Sequence, residues 1–244
     1  SIGIAGPGFI NFKLYKRIWI KLVKKILEDG EKFGFTNIGE NKKVNIEFVS
    51  ANPTGPLHVG HTRGAIFGDV LANLLSNVGF VVTREYYIND AGTQIDSLAR
   101  SAHSRYQEAL GKEYNANENE YPGDYLKTVG QKLKEEFGEK LIPIRNNNNL
   151  EKIKEYTVKI MIDEIKKDLS DLGVFMDSFV SESSLYKDGK VQEAIDHLTR
   201  LGLIYKGVLE KPKGSEDPDW VEREQDLFKS TFFGDDMDRP IKKI

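Results

Sequence analysis

Between residues 43 and 50 (KVNIEFVS) side chains alternate, with Val44, Ile46 and Phe48 on one side and Asn45 and Glu47 on the other. That period of two predicts a strand. From 61 to 78 the period lengthens. Ile66, Val70, Leu74 and Val78 share one helical face, Phe67, Leu71 and Leu75 flank it, and Gly79 supplies the stop. Residues 80–88 (FVVTREYYI) are again β-branched and aromatic. Strand, loop, helix and strand in that order form the unit that lays two parallel strands side by side.

The same reading extends outward. Residues 1–12 predict a loop and an edge strand. Leu14 to Asp29 predict a helix with Ile18, Leu22 and Ile26 spaced by four and Trp19 and Val23 beside them. Further helices are predicted near 94–110, 150–172 and 189–201, and strands at 175–181, 203–209 and 226–233. The last two are joined by a loop containing KPKGSEDPD. Residues 111–149 are polar and end in a run of asparagines, so they predict an insertion with one short helix near 124–137. The pattern as a whole is α/β, a parallel sheet with flanking helices.

Composition narrows the chemistry. Lys plus Arg number 35 against 38 Asp plus Glu, a net charge of −3, which excludes a protein gripping nucleic acid by bulk positive charge. Cysteine is absent, so disulfides, cysteine-ligated zinc, iron–sulfur clusters and a thiol nucleophile are excluded. No apolar run approaches a membrane span and no signal peptide opens the chain, so a cytoplasmic protein without a membrane partner is expected. Lys13, Lys16, Arg17, Lys21 and Lys24 make a basic helix face, which a solvated surface explains more simply than RNA phosphate. Asp235, Asp236 and Asp238 read as a solvated turn, and no metal site is predicted.

The stretch that carries chemistry is EFVSANPTGPLHVGH, residues 47–61. It follows a strand and opens a helix, where α/β sheets bind ligands and where a helix N-terminus offers free N–H groups to phosphate. His58 and His61 are one helical turn apart and can face one ligand. Gly60, lacking Cβ, lets a flat base approach the backbone. No carboxylate pair or serine–histidine pair accompanies them. The segment is suited to holding and polarising a phosphate chain without a protein nucleophile.

SANPTGPLHVGH resembles the signature loop of the class I aminoacyl-tRNA synthetases in its arginyl form. AGPGFINF (5–12), YYINDAGTQI (86–95), LGVFMDSFVSESSLY (172–186) and FFGDDMDRP (232–240) match as well. The resemblance implies a Rossmann-like catalytic domain that activates L-arginine with ATP and Mg²⁺ and loads tRNA(Arg), with ATP and its metal as substrate and not a resident cofactor. It implies His58 and His61 as the catalytic pair on the ATP phosphates, with Thr54, Gly55, Pro56 and Leu57 shaping the approach and Gly60 seating the adenine. Glu47 would receive the guanidinium, and Ser50 and Asn52 the amino-acid end. Gln94 and, more weakly, Asn89 would line the pocket. A guanidinium seeks carboxylate and carbonyl acceptors, which suits Glu47 on the polar side of its strand.

The implied organisation has four parts. Residues 1–40 are the tail of an N-terminal tRNA-binding domain with a linking helix. Residues 41–110 are the first half of the catalytic domain, 111–149 the polar insertion, and 150–244 the continuation. No Lys-Met-Ser-Lys-like loop occurs, since Lys242-Lys243 are followed only by Ile244. The chain therefore reads as a piece of a longer protein, expected to be a monomer, that gives little or no aminoacylation by itself. Two alternatives remain at this stage: a small-molecule nucleotidyltransferase of the same superfamily, and a non-catalytic binding module derived from a synthetase.

Overall fold

The computed structural model describes residues 2–114, 121–142, 147–209 and 222–241. The expected loop around KPKGSEDPD, Trp220 and Lys242-Lys243 lie outside them.

The chain opens with a hairpin, β1 (Ile2–Ala5) antiparallel to β2 (Phe9–Phe12), turned at Gly6 and Gly8, both at positive φ. This replaces the expected loop and single strand. Helix α1 (Lys16–Asp29) follows. Its apolar stripe forms as predicted but lies open, because none of its residues is buried.

The centre is a three-stranded parallel sheet in the order β3 (Lys43–Glu47), β4 (Val81–Ile88), β5 (Ser178–Ser181). Lys43 to Glu47 pair in register with Val81 to Glu85, and Glu85 to Ile88 with Ser178 to Ser181. Helix α2 (Val59–Asn77) joins β3 to β4, but with the opposite face inward from that expected. Ala65, Gly68 and Ala72 are buried, while Ile66, Phe67, Val70 and Leu74 are exposed, Phe67 at 70%. The small residues win because the helix lies close to the sheet: a Cβ on Gly68 would sit 2.2 Å from Phe48 Cγ. Arg84 of β4 ties the layers together, bonding Asn73 Oδ1 (2.7 Å) and pairing with Asp69 (3.4 Å) on α2. Its backbone N–H donates to Asp177 (2.7 Å), just before β5.

Between β4 and β5 run three helices, α3 (Thr93–Ala109), α4 (Tyr125–Phe137) and α5 (Asn147–Asp171). The stretch that reads as polar holds α4, and α4 buries Leu126, Val129 and Leu133 completely. Leu98, Ala102 and Tyr106 of α3 and Ile153, Ile160 and Met161 of α5 meet them in one core. A second core lies on the sheet, where Phe48, Tyr86 and Ile88 meet Ile162, Ile165 and Leu169 of the same α5. Helix α5 thus spans both. Its length and two-sided burial make the central unit one body.

Two short helices, α6 (Glu182–Lys187) and α7 (Lys190–Arg200), lead to a small antiparallel sheet of β6 (Ile204–Gly207), β7 (Gln225–Phe228) and β8 (Arg239–Pro240). The strand expected over 226–233 stops at Phe228. Ser230 to Phe233 form a 3₁₀ turn, held by Asp238, which accepts from the Thr231 N–H (3.0 Å) and hydroxyl (2.7 Å). Asp235 and Asp236 both pair with Arg239.

Candidate active site

The site is built where β3 ends. Phe48 N–H extends the ladder to Glu85 O (3.2 Å), and then the chain reverses: Ser50 N–H donates to Phe48 O (3.0 Å). This closes a three-residue turn with Val49 at φ 66° and Ser50 at φ 41°. Left-handed conformations at non-glycine residues cost about 1–3 kcal/mol each and survive only where neighbours enforce them. Several neighbours do so here. Ser50 Oγ accepts from Tyr87 N–H (3.0 Å), and Tyr86 hydroxyl donates to Ala51 O (2.9 Å). Asn52 Nδ2 donates to Gln94 Oε1 (2.9 Å) at the start of α3. Pro53 is buried, Thr54 N–H donates to Asn52 O (2.7 Å), and Tyr125 hydroxyl donates to Thr54 O (2.5 Å). Gly55 lies against the Tyr125 ring, Pro56 is exposed, and Leu57 packs on the sheet core.

His58 is the N-cap of α2. Its Nδ1 accepts the Gly60 N–H (3.1 Å), while its own N–H donates to His61 Nδ1 (3.3 Å). The two rings stack with centroids 3.8 Å apart and planes 23° from parallel. Because both Nδ1 atoms accept, each neutral ring carries its proton on Nε2, which leaves both Nε2–H groups free of the cap to donate to an anion. Burial, and then His58 beside it, lowers the His61 pKa below its ordinary value. Gly60 has a second reason to be glycine: a Cβ there would meet His58 Cε1 at 2.9 Å and Nδ1 at 3.0 Å.

Glu47 lies exposed at the end of β3, on the polar side that the alternation predicts. Beside it the sheet's carboxyl end is acidic. Burial, followed by Glu182, Tyr186, Asp90 and Glu47, raises the Tyr87 hydroxyl pKa. Burial, and then Asp90, raises that of Glu182. Asp90 is itself fixed, accepting from Ser183 N–H (2.8 Å), Ser181 Oγ (2.7 Å) and Ser183 Oγ (3.0 Å), which joins the ends of β4 and β5. A cavity of about 460 Å³ opens next to it, lined among others by Gly92, Lys154, Ser183 and Tyr186. None of the residues singled out for ATP or arginine lines that cavity. Among the described residues no group of three or more His, Cys, Asp or Glu is placed to hold a metal, and no helix is long and apolar enough to cross a membrane.

Comparison with known proteins identifies the family. The family model for the class I (R) tRNA synthetase catalytic domain matches residues 22–208. The chain belongs to that family. It is 52% identical over 243 residues to the arginine–tRNA ligase of a Cereibacter sphaeroides strain, and 53% identical over 240 to that of Ruegeria pomeroyi. These alignments take in 100% and 98% of this chain, and 42% and 41% of those proteins, so it spans less than half the length of the relatives it matches. A solved Campylobacter jejuni structure assigned to arginyl tRNA synthetase superposes with a TM-score of 0.75 at 30% identity, over 94% of this chain and 47% of that one. The Thermus thermophilus arginyl-tRNA synthetase shares the fold at TM-score 0.53 and 21% identity, over 94% and 39%.

Within this synthetase domain the sequence motif located the histidine pair and the loop before it. It missed the groups that hold the loop. Tyr86 and Tyr125 act through hydroxyls on loop carbonyls, and Asp90 works through serines more than ninety positions away. Tyr86 had a signal, its place on the inward side of β4. Tyr125 had none, because α4's register on α3 decides where its hydroxyl goes.

Proposed function

We propose that the protein bearing this chain is an arginine–tRNA ligase, which activates L-arginine with ATP and transfers it to tRNA(Arg), and that these residues are part of its catalytic domain. The observation that carries this reading is the stacked His58–His61 pair, with both Nδ1 atoms committed to the α2 cap and both Nε2–H groups available. A triphosphate arriving with Mg²⁺ as substrate meets two donors and the N-terminal end of a 19-residue helix.

In the first step an arginine carboxylate oxygen attacks the α-phosphorus, the bond to the β-phosphate oxygen breaks, and pyrophosphate leaves. A carboxylate needs no general base, so the protein's part is orientation and stabilisation of charge. The imidazoles donate to phosphate oxygens as charge builds on them. In the second step a ribose hydroxyl of the tRNA end attacks the activated carbonyl and AMP leaves.

Glu47, at the acidic end of the sheet, receives the guanidinium. Asn52 and Gln94, bonded to each other, keep Asn52 Oδ1 as an acceptor and Gln94 Nε2 as a donor for the two charges of the amino-acid end. Ser50 accepts from Tyr87 N–H and retains its hydroxyl proton for the carboxylate. Residues 41–110 and 150–244 are read as contributing to the catalytic domain, and 1–40 as belonging to a preceding tRNA-binding part. The test is ATP–pyrophosphate exchange by the full-length protein, with and without tRNA. Exchange that depends on arginine and not on lysine supports the reading. Exchange that is indifferent to arginine, or that follows a pantetheine or nicotinamide nucleotide, refutes it.

A further inference from the structure

Resting on that reading of the site, we propose that Tyr125 is a positioning residue for the reaction: from the first turn of α4 it clamps the loop that aims His58 and His61. The loop cannot hold itself. It begins with two non-glycine residues at positive φ, Val49 and Ser50, and strained backbone relaxes unless its surroundings forbid it. Two tyrosine hydroxyls from different elements take hold of its carbonyls: Tyr86 of β4 on Ala51 O at 2.9 Å, and Tyr125 of α4 on Thr54 O at 2.5 Å.

The second grip is the one next to the chemistry. Thr54 is four positions from His58, and among the described residues no hydrogen bond is made to Gly55, Pro56 or Leu57 in between. The Tyr125 ring also fills the space beside Gly55, where a Cβ would stand 3.6 Å from Cζ and Oη. Burial, and then Tyr121, pushes the Tyr125 hydroxyl up to about 12, so it stays a donor throughout the working range of pH.

The platform beneath it is rigid. Leu126 and Val129, within a turn of Tyr125, are fully buried in the core that α4 shares with α3 and α5. Gly130 brings α4 so close to α3 that a Cβ would lie 2.5 Å from the Arg105 carbonyl. The stretch that reads as a polar insertion therefore reaches the loop that feeds the histidine pair. Displacing a catalytic group by about 1 Å can cost on the order of 100-fold in rate, so one lost hydroxyl contact is expected to register in turnover.

The experiment compares the full-length protein with Tyr125→Phe, which keeps the ring on Gly55 and removes the donor, and with Leu133→Ala, which opens a cavity in the same helix. In ATP–pyrophosphate exchange well below the melting temperature, Tyr125→Phe is expected to lower kcat about tenfold with KM for arginine within threefold of the parent. Leu133→Ala should lower Tm more and leave kcat within twofold. In hydrogen–deuterium exchange, Tyr125→Phe should speed uptake across 48–60 and leave 126–137 unchanged. An unchanged kcat, an equal kcat loss in Leu133→Ala, or unaltered uptake across 48–60 overturns the clamp. If the parent shows no arginine-dependent exchange, the functional reading falls and the uptake across 48–60 alone decides the clamp.

Discussion

At Gly60 the absent side chain matters to a neighbour in its own chain as well as to any ligand. Adding a methyl group would drive it onto the His58 ring, the end of a side chain that can rotate, so the ring should swing off the Gly60 N–H. Gly60→Ala is accordingly expected to fold, to lose about 1 kcal/mol of cap stabilisation, and to weaken ATP binding. Chemical denaturation and nucleotide titration check the two effects separately. His61 makes a prediction about pH. Its pKa in the folded chain is below the ordinary 6.5, so the unfolded chain takes up its proton first on acidification. Its contribution to stability is therefore full above about 6.5 and is lost as pH falls from there through the lowered value. An NMR titration of the ring should give a midpoint under 6.5, and a midpoint at or above it would contradict the partly buried, Nδ1-accepting state. Glu47→Gln removes charge from an exposed strand end and should leave stability unchanged. Losing one charge-assisted bond, about 1.5–3 kcal/mol, should raise the arginine KM of the full-length protein roughly 10- to 100-fold and the ATP KM far less. An unaltered arginine KM removes Glu47 from the site.

From β3 to α5 the elements formed close to where the periodicities put them, yet helix periodicity alone misjudged which side of α2 faces the sheet. Ile66, Val70 and Leu74 make the larger apolar stripe, but the sheet takes the Ala65–Gly68–Ala72 side because only small residues let the axis come close to Phe48. Two glycines one turn apart test this. A Cβ on Gly64 would stand in open space, with nothing within 4 Å, so Gly64→Ala should stabilise by about 0.5–1 kcal/mol through helix propensity. Gly68→Ala should destabilise by about 1–3 kcal/mol through overpacking against Phe48. Urea unfolding of both variants measures the difference. Opposite signs are required, and two gains or two losses would show that α2 sits elsewhere. The same limit explains α4, where composition around 111–149 is polar while Leu126, Val129 and Leu133 lie on one stripe and are wholly covered.

For the molecule as a whole, the chain covers 42% of relatives such as the Cereibacter ligase, and a great deal of apolar surface is open. Ile4, Phe9 and Phe12 of the hairpin, Trp19 and Leu27 of α1, and Phe67 and Leu74 of α2 are all exposed. Apolar side chains left open in this number point to contact surfaces. The 244 residues produced alone should bind a hydrophobic dye such as ANS strongly and give no aminoacylation, while the full-length protein should bind far less dye per molecule. Equal dye binding by the two would mean that these faces stay open in the complete protein. What the sequence determined by itself is what depends on near neighbours along the chain: the strand and helix periods, the cap-forming histidine pair of SANPTGPLHVGH, and the synthetase family those residues spell out. The tertiary structure decided what depends on partners far away in sequence. It chose which face of α2 is inside, it let Asp90 meet Ser181 and Ser183, and it carried the Tyr125 hydroxyl across 71 positions to the Thr54 carbonyl. Such contacts depend on how closely and in what register whole elements pack, and no local period of the chain records that distance.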